Sequence, residues 1–184
     1  MRESKKELLT VGTIQAGEPE IGSFLWLLEA ARRQLKRTLN EIDEQWLDWE
    51  PPYNGNSIGT LLYHIAAIEI DWLYEEVLQT KFPAEITALL PFAVRDETGR
   101  LTAVRHIPLS DHIQRLDDAR TRLLDVYADM SLAEFRRVRH LSNYDVTPEW
   151  VLHHLIQHET EHRGQIQEIC AYFGATHFSQ TDLP

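Results

Sequence analysis

Apolar residues return every three or four positions in four long stretches of this chain, the spacing of one face of an amphipathic helix. In the first, from about Glu20 to Glu41, the stripe is Phe24, Leu27, Leu28, Ala31, Leu35 and Leu39, with Ile42 just beyond. The segment WLDWEPPYNGN, Trp46 to Asn56, carries two prolines, a glycine and two asparagines, so the chain turns there, and Ser57 is placed to cap the next helix. That second helix is expected over Ile58 to Gln79, with Ile58, Leu61, Ile65, Ile68 and Trp72 on its buried side. From Phe82 to Pro108 three prolines and the turn-like Glu97 to Arg100 interrupt any period, and the stretch reads as a long crossover. Ser110 or Asp111 can cap a third helix that reaches about Met130 on Ile113, Leu116, Leu123 and Tyr127, and a short helix is expected around Leu132 to Val138. The fourth has the clearest start, Thr147 as cap, Pro148 at the first helical position and Glu149 at the positive end of the dipole. It is expected to run to Phe173 and to stop at Gly174. With little alternation of the β type between them, these segments predict an all-α four-helix bundle, and bundles build metal sites from side chains on facing helices.

Composition narrows the class. The 184 residues, 43% of them hydrophobic, suit a single domain with one core. A formal charge of −11 argues against a nucleic-acid partner. No signal-peptide pattern opens the chain and no run of about 18 apolar residues occurs, so neither export by that route nor a membrane span is expected. The lone Cys170 cannot form an internal disulfide and nine histidines supply borderline metal ligands, which together fit a reducing cytoplasm.

The chemistry is concentrated on the fourth helix. Its stripe reads Val151, Leu155, His158, His162, Ile166, Ile169 and Phe173, so two histidines occupy positions where core residues belong. Residues four apart stand about 40° apart on one helix face, close enough for both imidazoles to reach one ion. A single buried histidine is usually a hydrogen-bonded core residue, whereas a pair at this spacing points to a shared ligand. A third ligand must come from another helix, and His64, bordering the stripe of Leu61 and Ile68, is the best placed. His154, one turn before His158, is a further ligand candidate, His153 faces the opposite way, and His106, His112, His140 and His177 receive no role. His158 to His162 also spells His-Glu-Thr-Glu-His, the zinc-protease pattern in which the intervening acid activates water. No sheet is evident and only 22 residues follow for a third ligand, so Glu159 is read as a helix-surface or supporting acid. Trp46, Trp49, Tyr53 and Trp72 could line a pocket near helix two but read better as core.

Two blocks resemble the DinB and YfiT-like superfamily of metal-binding four-helix bundles. They are WLDWEPPYNGNSIGTLLYHIAAIEIDWL, Trp46 to Leu73, whose helical histidine is His64, and VLHHLIQHETEHRGQIQEI, Val151 to Ile169, with His158, His162 and the triplet Arg163, Gly164, Gln165. The layout matches from about Gly22 to Phe173. Many relatives carry a further histidine where this chain has Glu161, and residues 1–19 stand as an N-terminal extension. The resemblance implies an antiparallel bundle, a zinc or nickel ion on His64, His158 and His162, and frequent homodimers. It also implies activities of the thiol-transferase or isomerase kind that use low-molecular-weight thiols such as mycothiol or bacillithiol.

Three neutral imidazoles would leave a divalent ion with its charge and with open positions, as in catalytic rather than structural sites. Such an ion lowers the pKa of a thiol or a water. Metal-dependent thiol S-transfer on a small-molecule substrate is therefore the leading expectation. Cys170 lies about 120° round the helix from His158, so the thiol would be a cosubstrate's. A hydrolase with Glu159, Glu161 or Glu69 as proton acceptor is the second reading, and a non-catalytic, stress-related metal-binding module the third.

Overall fold

A computed structural model describes residues 8–40, 42–53 and 55–178, with side chains through Gly174. The expected helix end at Glu41, Asn54 of the turn, residues 1–7 of the extension and the His177 side chain lie outside what is described. The elements are α1 (Pro19–Leu39), α2 (Ile58–Trp72) continued by a π-helical segment (Leu73–Leu78), α3 (Ala84–Leu89), α4 (Leu109–Ala128), α5 (Leu132–Phe135), β1 (Arg139–His140), β2 (Asp145–Val146) and α6 (Pro148–Phe178). The fold is an all-α bundle of α1, α2, α4 and α6, as the periodicity predicts.

Capping chemistry explains most of the boundaries. Pro19 opens α1 at a position whose amide needs no partner. The Ser57 hydroxyl accepts from the Thr60 amide at 3.3 Å, and the Thr147 hydroxyl accepts from the Trp150 amide at 3.2 Å. Three boundaries differ from expectation, the first being the end of the short helix, expected at Val138 and found at Phe135. α4 begins two residues earlier than a Ser110 cap implies, after Pro108, because the Ser110 hydroxyl bonds the Asp111 carboxylate instead of capping a free amide. α6 passes through Gly174 to Phe178, since a glycine ends a helix only when it turns left-handed, and Gly174 keeps a negative φ. The second helix does end near Gln79, which takes a left-handed conformation at φ 53°, but its last turn is π-helical.

The crossover is less irregular than its sequence suggests, because α3 lays Ile86 into the core and Val104 packs on Tyr63 and Ala67 of α2. Its length lets α2 and α4 run side by side in one direction. Gly59 at the start of α2 lies against His112 at the start of α4, where a Cβ would stand 3.2 Å from the His112 Nε2 and 3.4 Å from the Leu47 and Val104 carbonyl oxygens. α6 runs parallel to α1, with Trp46 beyond the end of α1 against Phe173 at 4.9 Å, and antiparallel to α2, whose last residue Trp72 meets Trp150 in the first turn of α6. The two-stranded antiparallel hairpin β1–β2, which pairs Arg139 with Val146 and His140 with Asp145, was not foreseen. Strands of two residues are too short to show an alternating pattern.

Leu25, Leu28, Leu35, Leu61, Leu62, Ile65, Leu116, Leu123, Tyr127, Val151, Leu155 and Ile166 form one core. Each such side chain contributes about 1.5–3 kcal/mol by leaving water. α2 is buried from Ile58 through Ala67 and is the central helix. No helix among the described residues is long and apolar enough to cross a membrane.

Candidate metal centre

His64 comes from the middle of α2 and His158 and His162 from successive turns of α6, and their ring nitrogens meet where these helices pack. The His158 Nε2 lies 3.1 Å from the His64 Nε2 and 3.0 Å from the His162 Nε2. All three residues named from the sequence are thus brought together.

The donor chemistry asks for a cation. An imidazole nitrogen offers one in-plane lone pair or one proton, so the His158 Nε2 can satisfy only one of its two neighbours by a hydrogen bond. Nitrogens about 2.1 Å from a common ion, at angles between 90° and tetrahedral, stand about 3.0–3.4 Å apart, and the two separations from the His158 Nε2 fall in that range. The rings are also kept neutral. Burial, reinforced by His162 and Arg95, lowers the His64 pKa to about 4. Burial, His162 and His64 lower that of His158 further still, and burial lowers that of His162 against the opposing pull of Gln165. Gln165 fixes the His162 tautomer: its Oε1 accepts from the His162 Nδ1 at 2.8 Å and leaves the Nε2 lone pair facing the cluster. The buried Nδ1 of His64 has no hydrogen-bond partner among the described residues. These three side chains could hold a divalent ion.

The family model of the DinB superfamily matches residues 27–166. The chain belongs to the DinB superfamily. No curated protein matches it. Membership accords with the three-histidine cluster and with divalent-metal binding.

The other residues singled out beforehand take different places in this DinB-superfamily chain. His154 does not join the cluster. Its ring is tilted against Trp72 at 4.2 Å and stacks on Trp150 at 5.3 Å, and it stands 5.8 Å from the His158 ring. His153 and Glu161 are exposed. His106 and His140 are exposed beside Asp48 and Asp145, and His112 is buried. Trp46 and Trp49 pack on Phe173, whereas Trp72 faces the hairpin and α6, so these aromatics do not share one pocket.

Glu159 is not a helix-surface acid. It is 2% exposed and completes a charged ring to which each bundle helix contributes one residue: Arg32 of α1, Glu69 of α2, Arg120 of α4 and Glu159 of α6. The Arg32 Nε donates to Glu159 at 2.6 Å and its Nη2 to Glu69 at 2.9 Å. The Arg120 Nε donates to Glu69 at 2.7 Å, and its Nη2 donates to Glu159 at 2.7 Å and to Glu69 at 2.9 Å. Glu29, at the edge, accepts from the Arg120 Nη1 at 2.6 Å. Burial alone would raise the Glu69 pKa, but the Arg120 and Arg32 guanidinium groups outweigh it and hold the carboxyl below its ordinary value. With every carboxylate oxygen of Glu69 and Glu159 held by arginine, neither is placed as a base. The His-Glu-Thr-Glu-His sequence therefore lacks the free acid that a zinc protease requires.

Sequence reasoning missed this ring and the role of Gln165. Both left a signal: Gln165 stands three residues after His162, one turn along the same face.

Proposed function

We propose that His64, His158 and His162 bind one divalent ion, zinc or nickel, and that the chain is an enzyme of thiol-dependent S-transfer to a small-molecule substrate, with a bacillithiol- or mycothiol-like cosubstrate. The convergence of three neutral ring nitrogens at 3.0 and 3.1 Å carries this reading. Bound by neutral ligands alone, such an ion keeps its charge and open positions and lowers the pKa of a thiol that reaches it.

The chain's own residues divide the remaining work. His64, His158 and His162 supply lone pairs, and Gln165 keeps His162 in the tautomer that can do so. The arginine–glutamate ring ties α6 to the other three helices directly beside His158, which holds the ligands in register. The nucleophile is external. Cys170 sits eight residues beyond His162, about 12 Å along the helix axis, where it lines a cavity with Arg37 and Arg163 between α1 and α6. Hydrolysis by a base-activated water is the weaker reading, because Glu69 and Glu159 are committed to arginines and Glu161 faces solvent.

A transfer assay with a panel of small thiols and an electrophilic acceptor tests the proposal. Turnover that requires both metal and thiol and disappears in His158→Ala is expected. Equal turnover without thiol would replace it by hydrolysis, and a metal-loaded protein that binds no thiol would leave a non-catalytic metal-binding bundle.

A further inference from the structure

A cavity of about 560 Å³ lies between the end of α2, the β1–β2 hairpin and the first turn of α6, within the range of small-molecule sites. Trp72, Tyr144 and Trp150 form its aromatic wall and Val138 and Val146 its aliphatic one. Trp150, Tyr144 and Val138 remain 47%, 45% and 44% exposed, an uncommon concentration of open apolar surface at one concave place. The wall is built rather than loose. The Trp72 ring stacks 6.3 Å from Tyr144 at 26°, and the Tyr144 hydroxyl is anchored on Glu76 at 2.7 Å.

That wall continues to the histidines. His154 lies 4.2 Å from the Trp72 ring and parallel to Trp150, within 6°, and 5.8 Å from the His158 ring. One imidazole therefore links the aromatic wall of the cavity to the ligand cluster. The charges around it are acidic: Asp145 lines the cavity and Glu76 stands behind Tyr144, with Asp71 close enough to raise the Tyr144 pKa. The arginines that flank Val138 in the chain are paired, Arg137 and Arg139 with Glu134 and Arg136 with Glu149. Thr147 and Tyr144 contribute the hydroxyls of the lining, and both are already engaged, Thr147 as the cap of α6 and Tyr144 as a donor to Glu76.

We propose that this cavity binds the planar apolar part of the substrate, an uncharged aromatic or conjugated group, and that His154 lies between that group and the three-histidine cluster. The proposal rests on the reading of that cluster as the reaction centre. Flat rings match the two tryptophans and the tyrosine, and the acidic surroundings exclude anions.

N-phenyl-1-naphthylamine, a neutral planar dye that brightens in apolar surroundings, is the probe, and 8-anilinonaphthalene-1-sulfonate, the same skeleton with an anionic group, is its control. One neutral dye per chain is expected to bind, about tenfold more weakly in Trp150→Ala and with partial rescue in Trp150→Phe. The sulfonate is expected to bind about tenfold more weakly than the neutral dye, since it meets acidic groups. His158→Ala is expected to keep the dye and lose bound metal, so a failure of the metal reading is told apart from a failure of this one. Loading the wild type with nickel is expected to quench the bound dye. The absence of saturable binding, equal binding of the sulfonate, indifference to Trp150→Ala, or a bound dye left unquenched by nickel measured as bound would each overturn the proposal. So would a dimer that excludes the dye and falls apart in Trp150→Ala, because the face would then belong to a second copy.

Discussion

Replacing Glu159 by glutamine keeps the side chain's shape and removes its charge from the centre of the bundle. In the wild type Glu159 accepts from the Arg32 Nε at 2.6 Å and from the Arg120 Nη2 at 2.7 Å, with all three side chains at most 4% exposed. A hydrogen bond between charged partners is worth about 1.5–3 kcal/mol net, so two suggest ~3–6 kcal/mol. Breaking a buried ion pair from one side costs about 3–5 kcal/mol. Arg32 would keep Glu69 and the Leu116 carbonyl, and Arg120 would keep Glu69 and Glu29, which places the expected loss for Glu159→Gln near 3–4 kcal/mol. For a domain whose whole stability is about 5–15 kcal/mol this is a large fraction. Urea unfolding at pH 7 in the presence of chelator measures it. A shifted midpoint at unchanged slope is expected, and the paired change Arg32→Met with Glu159→Met should cost less than the two single changes added together. A loss under about 1 kcal/mol for Glu159→Gln would refute the reasoning, because it would mean that the ring is hydrated in solution.

Acid should act on the fold through two further groups, and removal of Gln165 should act on the metal. Burial, with Arg115 adding to it, lowers the His112 pKa from 6.5 to about 4, so the unfolded chain takes up its proton first and stability falls as the pH drops through 6.5 toward 4. Between pH 7 and pH 5 that linkage amounts to about 2 kcal/mol, and His112→Leu should flatten the decline by this amount in urea titrations; an unchanged slope would contradict the burial of an unprotonated ring. Glu69, held below its ordinary value, contributes stability above about pH 4.5 that is lost as the pH falls further, so acid unfolding in that window should shift upward when Arg120 is replaced by methionine. Gln165→Leu should weaken metal binding about 10- to 100-fold by releasing the His162 tautomer, as read from competition with a chromogenic chelator; an unchanged affinity would mean that the contact is incidental.

Periodicity and capping residues made the four helices legible, and an unexpected histidine pair within a core stripe, with His64 on a second helix, made the cluster legible. The charged ring was legible by the same rule and was overlooked. Arg32 stands among Leu28, Leu35 and Leu39, and Arg120 among Leu116, Leu123 and Tyr127. Glu69 falls between Leu62 and Leu73, and Glu159 between Leu155 and Ile166, each at core spacing on its helix. One misplaced charge on a helix reads as noise, whereas four of compensating sign, one on each helix, read as a single buried structure. What lay beyond reach was three-dimensional: β1–β2 pairs only two residues on each strand, and nothing in its sequence tells that Trp72, Tyr144 and Trp150 share a wall. The direction of α2 and α4 depends on how the crossover docks, and that docking runs through contacts such as Gly59 with His112, distant in sequence.

Elemental analysis of protein purified without a histidine tag, for the wild type beside His64→Ala, His158→Ala and His162→Ala, tests the central claim most directly. The arrangement of the three ring nitrogens predicts about one divalent ion per chain in the wild type and its loss in all three variants. Full retention of metal in any one variant, or none in the wild type after reconstitution with zinc or nickel, would contradict it.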